Sequence, residues 1–210
     1  MNRLLEIYRR LYDAFGPQHW WPGETPFEIA VGAILTQNTN WGNVEKAIMN
    51  LKKENALSPE IIHKIKLSRL ASLIRPAGYF NIKAKRLKAF ISFLMNEYEG
   101  SLKRMKEEDT QILRLRLLRI HGIGPETADS IILYALEKPV FVVDAYTKRA
   151  LSRHEFIEFN RTYEDFQKFF HSSLNRDVKL FNEYHALFVK LGKTYCRKKP
   201  ICNGCPLEGV

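Results

Sequence analysis

Asp144 ends an apolar run in the stretch GIGPETADSIILYALEKPVFVVDAY, from Gly122 to Tyr146, and Glu126 stands eighteen residues before it. Read by themselves, the two acids have ordinary roles. An aspartate there caps the helix that follows, and a glutamate in a first helical turn favours the positive end of its helix. The residues around Glu126 suggest more. Gly122-Ile123-Gly124-Pro125 permits a hairpin too tight for side chains, with Pro125 suited to a first helical position. Backbone N–H groups at such a helix start form an anion site, and phosphate is its natural occupant. Ile123 would anchor the hairpin, and Ala128 would let its two helices approach. Arg114, Arg116 and Arg119 lie just upstream. The combination reads as a contact to a DNA backbone, where a lone G-x-G would read as a plain turn and the arginines as a solvated helix face.

Two further groups could do chemistry. Cys196, Cys202 and Cys205 are the only cysteines, and clustered thiols in a cytoplasmic chain suggest a metal or cluster site rather than a disulfide framework. All three tryptophans, Trp20, Trp21 and Trp41, fall in the first quarter of the chain. They could pack a core or line a pocket.

The elements that must hold these residues are helical. Phe27, Val31, Ile34 and Leu35 recur at helical spacing after Thr25-Pro26-Phe27-Glu28, which offers a cap, a first-turn proline and a capping-box acid. Ser58-Pro59-Glu60 starts another helix in the same way, and residues 163–174 and 181–195 carry amphipathic stripes. Only VFVVD, 140–144, is β-like, and it has no partner strand in the sequence. The expectation is an all-α chain of about ten helices. Its 33 basic and 23 acidic residues give a net charge of +10, which favours a polyanionic partner. No apolar run approaches the length of a membrane span, and the N-terminal stretch lacks the pattern of a signal peptide, so the chain reads as cytoplasmic.

LRIHGIGPETADSIILYA followed by VFVVDAY resembles the helix-hairpin-helix signature, with its downstream catalytic aspartate, of the endonuclease III superfamily of DNA glycosylases. GAILTQNT (32–39), GYFNIKAKR (78–86), HALFVKLGKTYC (185–196) and the terminal cysteines extend the resemblance, in order, over almost the whole chain. HWWPGETPFEIAVGAILTQNTNW is similar to the 3-methyladenine glycosylase branch.

The resemblance implies two helical domains around a cleft: a six-helix domain over 22–134, and a second domain from 1–21 plus 135–210 that carries Asp144 at the cleft mouth. It makes Asp144 the catalytic carboxylate, which would stabilise oxocarbenium character on the sugar and orient water. Glu126 stands where bifunctional members carry a Schiff-base lysine, so a monofunctional glycosylase is implied. Trp21 and Trp41 would sandwich the extruded base, with Trp20 and Pro22 shaping the pocket and Glu126 a further candidate for contact; flat aromatic faces suit a cationic 3-alkylpurine. Gln37 and Tyr79 would wedge into the duplex, while Gly122, Ile123, Gly124, Lys83, Arg149 and Arg153 would meet its backbone. Cys196, Cys202 and Cys205 resemble three of the four ligands of a 4Fe-4S cluster; the fourth would fall one position past Val210, and zinc or an empty site are the alternatives. The implied partner is double-stranded DNA with one damaged base, bound by a monomer in the cytoplasm, or at the nucleoid in a prokaryote. The alternatives are a glycosylase with lyase activity, one for another damaged or mismatched base, and a helix-hairpin-helix DNA-binding protein without catalysis.

Overall fold

A computed structural model describes residues 2–210 and contains no strand among them. The chain is all-α. It divides into two compact units, Met1–Trp21 with Pro139–Val210, and Pro22–Lys138. The second unit therefore ends four residues later than the 134 expected from sequence. The reason is local: the Lys138 N–H bonds the Ile132 carbonyl, and its Nζ donates to the Glu108 carbonyl at 2.8 Å.

The continuous unit holds α2 (Pro26–Leu35), α3 (Trp41–Lys53), α4 (Pro59–Lys64), α5 (Leu67–Leu73), α6 (Phe80–Tyr98), α7 (Leu102–Glu107), α8 (Thr110–Leu118) and α9 (Pro125–Ser130). A 3-10 turn, Arg75–Ala77, precedes α6, and α9 runs on into a π-helical turn, Ile131–Ala135. Eight α-helices thus replace the six expected, because α4, α5 and α7 are each only six or seven residues long and leave a weak periodic signal. α2 is the central element, buried from Ala30 through Leu35. Thr25 caps it through the Glu28 N–H at 3.1 Å. The expected capping box does not close: the Glu28 carboxylate pairs with Lys52 at 2.9 Å instead.

The other unit is assembled from both ends of the described chain. α1 (Arg3–Phe15) buries Leu4, Ile7 and Leu11 and packs on α12 (Val178–Thr194), whose Tyr184 hydroxyl donates to the Leu4 carbonyl at 2.7 Å. Phe141, Phe166, Phe170, Phe181, Tyr184 and Phe188 form an aromatic core. α10 (Ala145–Arg153) lies so close to α12 that a Cβ on Gly192 would come within 2.2 Å of the Tyr146 ring. α11 (Tyr163–Ser173) is closed by a reciprocal capping box between Thr162 and Asp165.

Candidate functional site

The apolar run before Asp144 reads as β-like from its composition, yet it forms no strand and no strand pairs with it. Its backbone is satisfied by side chains of α11 instead. The Phe141 N–H donates to His171 Nε2 at 3.0 Å, Gln167 Nε2 donates to the Phe141 carbonyl at 2.8 Å, and the Val143 N–H donates to the Tyr163 hydroxyl at 3.2 Å. These three residues recur every four positions, so one helix face acts as the missing strand. The sequence carried that signal, three polar side chains at i, i+4 and i+8, and it went unread.

Asp144 emerges from this frame as the N-cap of α10. Its Oδ1 accepts the Thr147 N–H at 2.7 Å, so the capping role is met. Its Oδ2 faces His185 Nε2 at 3.6 Å, an ion-pair distance rather than a hydrogen bond. Both side chains are buried. Burial pushes the Asp144 carboxyl up, but His185 and the Thr147 N–H outweigh it, and the group lies below the usual carboxylate range. At neutral pH Asp144 is therefore a carboxylate, fitted to stabilise positive charge and not to donate a proton. Sequence reasoning assigns His185 no role; its place on the buried stripe with Phe181, Tyr184 and Phe188 is the available signal.

The hairpin forms in the continuous unit. Gly122 has φ +83°, and a Cβ there would meet Arg86 Cγ at 2.3 Å, so the position is glycine for two reasons. Ile123 is buried, Gly124 is exposed and is the N-cap of α9, and Glu126 is exposed in the first turn. Gln37 lies against this hairpin: Nε2 donates to the Gly122 carbonyl and to Thr127 Oγ1, each at 2.9 Å, and Oε1 accepts from Arg86. Tyr79 is 63% exposed and left-handed, with φ 45°.

Several basic residues expected at phosphates are committed inward. Lys83 is buried, with Nζ bonded to the Leu35 and Ala77 carbonyls, and cannot reach a phosphate. Arg149 donates to the Cys196 carbonyl at 2.7 Å, and Arg153 donates to the Arg197 and Lys198 carbonyls. Both thus fasten the C-terminal loop. Arg114 pairs bidentately with fully buried Asp129, and Arg116 pairs with Glu97 and Glu108. Lys85 and Arg119 are exposed.

All three tryptophans are half-buried, in neither a sealed core nor an open face. Trp20 and Trp21 belong to the discontinuous unit, joined by a cis peptide, with rings edge-to-face at 5.3 Å. Pro22 follows and is exposed. Trp41 opens α3 in the other unit.

The three cysteines lie in different surroundings. Cys196 is buried and its Sγ accepts from Arg153 at 3.3 Å, whereas Cys202 is exposed. Burial pushes the Cys205 thiol up, and the neighbouring Cys196 and Cys202 sulfurs add to the rise. Among the described residues, no three His, Cys, Asp or Glu side chains are gathered to hold a metal ion. No step below passes through a cluster. No helix among the described residues is long and apolar enough to cross a membrane.

Comparison with known proteins agrees with this geometry. The signature of the HhH-GPD superfamily of base excision DNA repair proteins matches residues 31–176. A putative DNA repair glycosylase of Methanocaldococcus jannaschii is 48% identical over 206 residues, covering 98% of this chain and 94% of that protein. Endonuclease III of Thermotoga maritima is 28% identical over 205 residues, covering 97% of this chain and 89% of that one. Among solved structures, the Helicobacter pylori 3-methyladenine DNA glycosylase bound to 1,N6-ethenoadenine superposes with a TM-score of 0.78 at 31% identity, over 90% of this chain and 97% of that one. An endonuclease III–DNA complex shares the fold, with a TM-score of 0.82 at 21% identity over 98% of this chain and 92% of that one. The chain belongs to the HhH-GPD superfamily of base excision DNA repair proteins.

Proposed function

We propose that this protein is a monofunctional DNA N-glycosylase that removes alkylated purines, of the 3-methyladenine kind, from double-stranded DNA. Glu126 carries the first half of that reading. It occupies the first turn after the hairpin, where the resemblance places the lyase lysine, and a carboxylate cannot form a Schiff base. Lysines near it in sequence are engaged elsewhere: Lys106 pairs with Glu137, Lys138 Nζ bonds the Glu108 carbonyl and Thr110, and Lys148 Nζ bonds the Arg161 carbonyl.

The substrate class is supported by the likeness to the H. pylori 3-methyladenine glycosylase and by the tryptophans. Trp21, flanked by Trp20 and Pro22 in sequence, and Trp41 are the aromatic faces that the resemblance offers to an extruded base. A cationic alkylpurine is attracted to such faces and is already an activated leaving group. That suits a site whose identified acid, Asp144, is ionised. As the base departs, the Asp144 carboxylate stabilises the oxocarbenium-like sugar and orients the attacking water.

Gly122 and Gly124 hold a phosphate through backbone N–H groups, Ile123, whose N–H is given to the Ile120 carbonyl at 3.0 Å, anchors the hairpin between them, and Gln37 and Tyr79 probe the duplex. A panel of duplexes, each with one lesion, is scored for released base and for strand cleavage. Release of 3-methyladenine without cleavage and without a borohydride-trapped adduct is the expected result. A trapped adduct would establish a lyase and remove the monofunctional reading. Release of another base alone would remove the alkylpurine reading.

A further inference from the structure

Lys83 is nearly inaccessible, at 1% exposure, and both of its hydrogen-bond partners are backbone carbonyls. Nζ lies 2.8 Å from the Leu35 oxygen and 2.7 Å from the Ala77 oxygen. The positions of these carbonyls matter. Leu35 is the last residue of α2, and Ala77 is the last of the 3-10 turn. Helix ends leave carbonyls without intrahelical donors and carry partial negative charge, so one ammonium is well matched to two of them. Each carbonyl also stands just before a residue proposed to probe DNA. Gln37 follows Leu35 by two positions, and Tyr79 follows Ala77 by two. Beyond each grip the backbone turns left-handed at a non-glycine residue, Asn38 with φ 53° and Tyr79 with φ 45°. Such conformations persist where surroundings fix them.

We propose that Lys83 is a positioning residue that clamps the Gln37 and Tyr79 segments at a set separation, so that both side chains test a duplex as one unit. The proposal rests on the wedging roles read above for those two residues. A salt bridge would hold one partner; an ammonium has several donors and can hold two carbonyls at once. Burial, with Arg86 adding repulsion, draws the Lys83 amine down to about 8. The clamp is therefore charged at neutral pH and loses its charge in mild alkali, where phosphate-facing lysines keep theirs.

The test uses the full-length protein and two duplexes, one undamaged and one with a tetrahydrofuran abasic analogue beside a 2-aminopurine reporter. In wild type the abasic duplex binds more tightly and the reporter brightens. Lys83→Met should reduce the ratio of the two affinities about tenfold and dim the reporter, with undamaged binding changed less than about twofold. Gln37→Ala/Tyr79→Ala should lose the ratio too, and adding Lys83→Met to that pair should lower it no further. An unchanged ratio in Lys83→Met beside a lost ratio in the double variant overturns the clamp. An unchanged ratio in the double variant overturns the wedge reading beneath it. Should Lys83→Met fail to fold, the wild-type ratio measured from about pH 7 to about pH 9.5 decides. A fall supports the clamp, and a flat ratio overturns it.

Discussion

Asp144 and Lys83 are buried ions in different units, and their surroundings direct them oppositely. Asp144 gives one oxygen to its own backbone frame, at Thr147, and presents the other to His185. Lys83 gives its donors to two carbonyls of the main chain and has no outward face. The carboxylate lies below its usual range and the amine below its own. A lowered carboxylate is an ion favoured by folding, whereas a lowered amine is an ion opposed by it. Charge at Asp144 is favoured by the fold, as the proposed catalytic role requires. Charge at Lys83 is retained against a penalty, which is expected of a group that sets geometry.

The largest test of this contrast separates the charge of Asp144 from its cap. Asn caps a helix nearly as well as Asp but carries no charge. Asp144→Asn should therefore lower base release about a thousandfold while leaving thermal unfolding almost unchanged. Loss of stability without loss of rate would make Asp144 a cap alone. Lys83 comes next. The unfolded chain keeps its lysine proton to about pH 10.4, whereas the folded protein releases it near 8, so folding stability from this group rises with pH between those values. Wild type should gain about 3 kcal/mol over Lys83→Met across that window in denaturant titrations. A difference that stays constant with pH would mean that the folded amine keeps its proton across the window, so that burial does not oppose its charge.

The third effect is smaller. His185→Leu removes the partner that offsets burial at Asp144, so its carboxyl should rise. The acid limb of the pH–rate profile should lie below the usual carboxylate range in wild type and move upward in the variant. An unmoved limb would show that Thr147 alone sets the charge. The smallest concerns the inward-facing arginines. Arg153→Gln should cost about 1 kcal/mol of stability and leave the salt dependence of undamaged-DNA binding as it was. A shallower salt slope would restore the phosphate contact expected from sequence.

The chain's helices and hairpin could be read from sequence because their signals are local. Gly-Ile-Gly-Pro fixes backbone conformation within four residues, and the stripes of α11 and α12 repeat within a few turns. The failures were side chains whose partners are distant in sequence. Lys83 lies among Lys85, Arg86 and Lys88, a run that reads as a phosphate surface. Yet it also lies on the stripe with Leu87, Phe90, Ile91 and Leu94, and that register is what buries it. Arg149 and Arg153 share one face of α10, and nothing local announces that the carbonyls of residues 192–198 come to meet them. The 140–144 segment was read as extended, but its satisfaction by α11 depends on contacts 20 to 30 residues away. Periodicity reports which face is buried; it does not report what a polar atom finds there.

The division of the chain bears on how it is made. Residues 22–138 form one continuous unit, and the other unit draws on residues before 22 and after 138. A ribosome releases chain in order, and domains fold as units. The nascent protein can thus complete its hairpin, and the Gln37 and Tyr79 loops, while α1 still waits for α12 to emerge. DNA-backbone recognition would mature first on the growing chain. The frame around Asp144 would close last, when Tyr184 reaches Leu4.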